Sequence, residues 1–134
     1  MRALNLNNIF KVVLITGGYG TGGAYNAAQI YVPQSGQFCS LPDMTSGIAS
    51  HTQDGFLSCG GWFPSNYQKC SKWESGNWTD FVSLPRVRQI SQSWTPKSGV
   101  GTYLIGGTEN RNTTDLVKPD GTVRQGFDLN YDTT

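Results

Sequence analysis

Apolar and polar positions alternate along this chain in short runs, and three of the apolar runs end in a pair of glycines. They are Leu14-Ile15-Thr16-Gly17-Gly18, Leu57-Ser58-Cys59-Gly60-Gly61 and Leu104-Ile105-Gly106-Gly107. The first glycines of these pairs are 43 and 46 residues apart, a period at which repetition signals stacked supersecondary units. A comparable block follows each pair. In the first copy it holds Ala28-Gln29-Ile30-Tyr31-Val32, a turn at Pro33-Gln34-Ser35-Gly36, then Gln37-Phe38-Cys39-Ser40-Leu41-Pro42. In the second it holds a run from Tyr67 to Trp73, a turn at Glu74-Ser75-Gly76-Asn77 and a run from Trp78 to Pro85. The third reads Thr113 to Lys118, Pro119-Asp120-Gly121, then Thr122-Val123. Ser-Gly and Asp-Gly turns accept the positive φ of tight reversals, so each block predicts an antiparallel hairpin. A strand is also expected over residues 9–15 and a last one over 127–132. No stretch carries a sustained helical period, and the expected class is all-β.

The repeated unit resembles a kelch repeat, in which a diglycine ends the second strand, an aromatic ends the third and a Trp opens the fourth. Tyr31 and Phe38 fill the two aromatic places in the first copy, Trp73 and Trp78 in the second, while the third carries Val117 and Val123. Kelch first strands often carry Arg-x-x-His, and here the motif is split. His51 stands without its arginine because Ile48 takes that place, and Arg88 is followed by Ser91 where the histidine would be. The phrases Cys39-Ser40-Leu41-Pro42-Asp43, His51-Thr52-Gln53-Asp54-Gly55 and Cys59-Gly60-Gly61 are similar to those of extracellular, galactose-oxidase-like kelch proteins of invertebrates. The resemblance implies one partial domain, a kelch-type β-propeller fragment of about three antiparallel blades, with repeats at about 9–47, 48–90 and 91–134. Propellers close with roughly 4–8 blades. Closure is therefore expected from missing blades or from self-assembly. A three-sheet protein standing alone would leave its sheet edges open to pairing.

Charge and composition narrow the partners. Charged residues make up 14% of the chain and the net charge is +1, with no Lys/Arg cluster, which argues against nucleic acid. No apolar run reaches the roughly 18 residues of a membrane span. Asn5, Asn7, Asn8 and Lys11 interrupt any apolar core of a signal peptide near Met1. A hairpin symmetric about its loop would pair Gly61 with Gln68 and so set Cys59 opposite Cys70, within disulfide reach. Such a bridge stabilises by about 2–3 kcal/mol. The alternative is two reduced thiols, with Cys59 a small core residue. The family resemblance sides with the bridge and an extracellular setting, which leaves Cys39 to a partner outside the chain. The acceptor sequons Asn77-Trp78-Thr79 and Asn112-Thr113-Thr114 agree with that setting.

Catalytic chemistry is sparse. One histidine, His51, cannot build a multi-histidine metal site. Its expected role is structural, bonding the backbone of a neighbouring blade. The run Gly17 to Gly23 lacks the Lys-Ser/Thr of a phosphate cradle and is expected to be an interstrand loop. The expressive positions lie in the loops after each diglycine: Tyr19 and Tyr25, then Trp62, Phe63, Asn66 and Tyr67, then Glu109, Asn110, Arg111 and Asn112. Exposed aromatics beside amides stack on sugars or anchor protein surfaces. The expected function is a non-enzymatic binding module for a protein or glycan, needing no cofactor. Two alternatives stand beside it. One is a fragment of a galactose-oxidase-like copper radical oxidase with its Tyr-Cys cofactor and further Tyr and His ligands in other blades. The other is an intracellular kelch adaptor.

Overall fold

Each predicted hairpin forms, and each is extended into a meander by the strand that ends in Gly-Gly. A computed structural model of the chain describes residues 11–62 and 67–130, and every regular element in it is a strand. The first sheet has the order β1 (Val13–Thr16), β4 (Ala28–Val32), β5 (Gln37–Leu41). The second runs β6 (Thr52–Asp54), β7 (Leu57–Cys59), β8 (Lys69–Glu74), β9 (Asn77–Ser83). The third repeats this as β10 (Gln92–Trp94), β11 (Thr102–Ile105), β12 (Thr114–Val117), β13 (Val123–Gln125). All pairings are antiparallel. In the first sheet, the part of the strand expected over residues 9–15 that precedes Lys11 lies outside the described residues. Two expectations are corrected. The stretch after Gly18 is not an open loop but a small hairpin, β2 (Tyr19–Gly20) with β3 (Gly23–Ala24). Residues 127–130 form no strand. They lie along the end of β12, where Leu129 N–H donates to Asn112 O and Thr114 Oγ1 donates to Phe127 O.

Alternation along the strands sets two faces per sheet, and the sheets stack face to face. Ala28, Ile30 and Leu41 of the first sheet bury Trp73 and Trp78 of the second, joined by Met44 and Ile48 from the intervening crossover. The opposite face of the second sheet packs Cys59 and Cys70 against Leu104 and Val117 of the third, with Leu84. The positions that carry aromatics in the first two copies are cross-strand partners in all three: Tyr31 with Phe38, Trp73 with Trp78 and Val117 with Val123. The two Trp rings meet edge to face at 5.6 Å, an arrangement the ring quadrupoles favour.

The diglycines join one sheet to the next. All three pairs share one backbone geometry, with φ of 62 and 110° at Gly17-Gly18, 66 and 104° at Gly60-Gly61, and 67 and 114° at Gly106-Gly107. Only glycine visits such pairs without strain. Gly18 N–H donates to Ile48 O at 2.9 Å, and Gly61 N–H donates to Arg88 O at 2.7 Å, each reaching the crossover that opens the following sheet. The next residue in each crossover serves its own sheet: Ala49 O accepts from Trp62 N–H, and Gln89 O accepts from Thr108 N–H. A Cβ at Gly17 would lie 2.5 Å from Ile48 O, and one at Gly60 would overlap Arg88 O. At Gly106, beyond which the described residues hold no further sheet, the nearest atom is Arg111 O at 3.2 Å.

Arg88 is fully buried, and its guanidinium is consumed by hydrogen bonds. Nε donates to Asp115 Oδ2 at 2.8 Å, one terminal nitrogen to the carbonyls of Gly106 and Thr113, and the other to Thr113 Oγ1. Asp115 is equally buried, and Arg86 Nε lies 3.3 Å from its second oxygen without hydrogen-bond alignment. Removing one partner of such a pair strands the other in a low-dielectric interior. The Arg88→Ala variant is therefore expected to lose about 3–5 kcal/mol of stability in urea denaturation. Lys69→Ala, which breaks the exposed pair with Asp80, is expected to leave the midpoint nearly unchanged.

Candidate functional site

The loops after the diglycines and the crossovers between sheets emerge at the same end of the strands, because the former hydrogen-bond to the latter. At this end the described residues bring two of the loop aromatics together. Tyr19, on β2, and Trp62, held to the crossover between the first and second sheets by paired hydrogen bonds with Ala49, place their ring centroids 6.1 Å apart at 44°. Tyr19 is 62% exposed and Trp62 39%, so their two faces open to solvent from adjacent sheets. Tyr25 joins the same hairpin and is also exposed. Its ring lies over Gly20, where a Cβ would collide with its hydroxyl. Its backbone ties the hairpin down, accepting from Ile48 N–H and donating to Gly18 O. Gly20 on β2 is thus a packing solution: with no side chain there, the Tyr25 ring folds over the hairpin.

The other sequence candidates separate. Tyr67 is partly buried against the cluster of Trp73 and Trp78, and belongs to the core margin. Phe63 and Asn66 lie outside the described residues. Arg111 is exposed in the third loop, and Asn110 Nδ2 donates to Val87 O, bracing that loop against the crossover before it. Asn77 is exposed at the start of β9, with Trp78 buried and Thr79 exposed. Asn112 is also exposed, but the threonine of its sequon, Thr114, is fully buried.

Cys59 and Cys70 are directly opposed in the β7–β8 pairing and joined in a disulfide, while Cys39 is a free, partly exposed thiol. His51 bridges the first two sheets, but through a side chain rather than the backbone expected. Gln53 Nε2 donates to Leu14 O, which turns its amide oxygen toward Thr16. The Thr16 hydroxyl gives its proton to that oxygen and accepts from His51 Nε2 at 2.8 Å. The ring is therefore the Nε2–H tautomer, and its buried Nδ1 has no hydrogen-bond partner. No sequence signal marks Thr16 and Gln53, which become partners only when two sheets abut.

Among the described residues no three His, Cys, Asp or Glu side chains converge on a point that would hold a metal. His51 does not fit a copper ligand, since one nitrogen is committed to Thr16 and the other is shut inside the seam. A groove of about 170 Å³ lies at the opposite end, between the second and third sheets, lined by Asp54, Phe56, Leu57, Lys72, Phe81 and Lys118 among others. Lys72 Nζ sits 4.8 Å over the Phe81 ring and fills one wall of it.

Two measurements follow from these groups. Thiol titration of the denatured, unreduced chain should find one thiol, Cys39, and three after reduction. Burial lowers the pKa of His51 below its ordinary 6.5, so around that pH the unfolded chain binds a proton that the folded chain excludes. Stability is then fully present above the ordinary value and declines as pH falls below it. Denaturation between about pH 5 and 7 should show this slope, flattened in His51→Gln.

No family model matches the chain, and no curated protein matches it. Solved structures do. One is described as a novel fungal alcohol oxidase with catalytic diversity among the AA5 family, in complex with copper. It superposes with a TM-score of 0.59 at 19% identity, over 84% of this chain and 27% of that one. At this identity the likeness is one of fold: the chain shares the all-β, stacked-sheet architecture of a section of that oxidase, and spans about a quarter of its length.

Proposed function

We propose that the chain is a kelch-type propeller section of a galactose-oxidase-like protein, acting outside the cell, and that this section contributes a recognition surface rather than copper ligands. The reading is carried by the fold shared with the copper alcohol oxidase over 84% of the chain. The three copies of the diglycine hairpin, stacked face to face, support the propeller part of it. The disulfide favours an oxidising compartment and counts against an intracellular adaptor. The donor set of the described residues does not fit a copper site, so any such chemistry would belong to other parts of a larger protein.

What this section offers is the open corner of Tyr19 and Trp62. Two tilted rings on braced loops present apolar faces to a flat partner. A sugar ring matches that chemistry, with C–H groups against the aromatic faces and hydroxyls at the rim. The test is titration with galactosides and short oligosaccharides, followed by tryptophan fluorescence, on the chain with and without added copper. Saturable quenching that is lost in Trp62→Ala, with no aldehyde formed from a primary alcohol, is the expected result. Aldehyde formation by the copper-loaded chain would transfer the assignment to the oxidase itself.

A further inference from the structure

Asn77-Trp78-Thr79, the first of the two acceptor sequons, lies on the hairpin that joins β8 to β9. Its turn is Ser75-Gly76, with φ of 53 and 85°, and Glu74 pairs with Asn77 at its mouth. Positive φ at both central residues makes a tight reversal whose twist suits the flanking strands. Beyond it the chain is extended, so Asn77 and Thr79 stand on one face of β9 and Trp78 on the other. Trp78 is buried against Trp73 in the seam with the first sheet, while Glu74, Ser75, Gly76, Asn77 and Thr79 are all exposed. The tryptophan anchors the strand, and the amide and hydroxyl of the motif are left to solvent together.

This exposure does not come from a missing neighbour. The second sheet packs on the first through one face and on the third through the other, and β9 is its outer strand. A glycan on Asn77 therefore has room in a larger ring as well as in this section. The hairpin also lies at the far end of the strands from the diglycine loops, because β8 starts beside Gly60 at Lys69 and runs away from it to Glu74. The Tyr19–Trp62 corner stays clear of it. The second sequon is arranged differently. Asn112 is exposed, but Thr114 is fully buried in the third sheet and gives its hydroxyl to Phe127 O, so the two side chains of that motif share no surface.

We propose that Asn77 accepts an N-linked glycan. Its Nδ2 attacks the anomeric carbon of a lipid-diphosphate-linked oligosaccharide. The new C–N bond replaces the anomeric C–O bond, the lipid diphosphate leaves, and one amide proton passes to a base of the transferase. The proposal rests on the extracellular part of the proposed function, since transferase and donor meet only chains that enter the secretory pathway.

The test supplies that entry. The 134-residue chain is expressed in insect cells behind a cleavable signal peptide, and protein from cells and medium is weighed by mass spectrometry before and after peptide N-glycosidase. Digestion is expected to remove a glycan and to convert Asn77 to Asp in its peptide. Asn77→Gln and Thr79→Ala should each abolish that glycan, the second with the asparagine still in place. Both positions are exposed, and fluorescence of the buried Trp73–Trp78 pair reports that the variants are folded. A wild-type chain bare at Asn77, or a glycan there that survives Thr79→Ala, overturns the proposal. Either result leaves the sugar-binding reading standing, because that reading falls on the Trp62→Ala titration.

Discussion

The structure depends on a backbone hydrogen bond that only glycine permits. The N–H of the second residue in a Gly-Gly pair must reach a carbonyl of the following sheet, and the first residue must pass that same segment with no side chain in the way. Both residues hold φ values in the left-handed half of the map, which no L side chain adopts there without strain. Once this contact forms, two stacked sheets have a fixed separation and a fixed offset. The apolar faces then bury one another in a set order, with Trp73 and Trp78 on Ala28 and Ile30 at one seam and Val117 on the disulfide at the other.

The two seams are held by different means around this common joint. The first relies on aromatic area and on the His51–Thr16–Gln53 chain of hydrogen bonds. At the second, Val117 and Val123 replace the aromatics, and Arg88 occupies the place that Ile48 holds at the first. Its guanidinium ties the crossover to the third sheet through Asp115, Gly106 and Thr113. Ser91, where a histidine would complete the motif, bonds Thr52 of the preceding sheet at 2.5 Å, as His51 bonds Thr16. The two halves of the Arg-x-x-His motif thus act at different seams, His51 at the first and Arg88 at the second.

Much of this was legible in the sequence because its signals are local. Alternation, turn glycines and the 43- and 46-residue spacings predict the hairpins and their order, and loop symmetry alone places Cys59 opposite Cys70. What stayed hidden depends on which residues meet across a seam. Thr16 and Gln53 are ordinary strand residues until a second sheet arrives, and the burial of Arg88 has no trace in its neighbours. The small β2–β3 hairpin was missed because glycines read as flexibility, whereas here Gly20 makes room for the Tyr25 ring. Residues 127–130 read as a strand from their apolar alternation, but past Gln125 they follow the end of β12 without strand geometry.

The two consecutive carbonyls in each crossover have one more implication. Ile48 and Ala49, like Arg88 and Gln89, face opposite ways along the stack, one oxygen given to the sheet behind and the next to the sheet ahead. Relative placement of neighbouring sheets is thereby encoded in a single peptide unit, and a one-residue insertion there would uncouple them. The loops beyond each diglycine carry no such phase. Their length and chemistry are free to diverge while the stack stays in step, which is how one rigid frame comes to display unrelated surfaces on successive repeats.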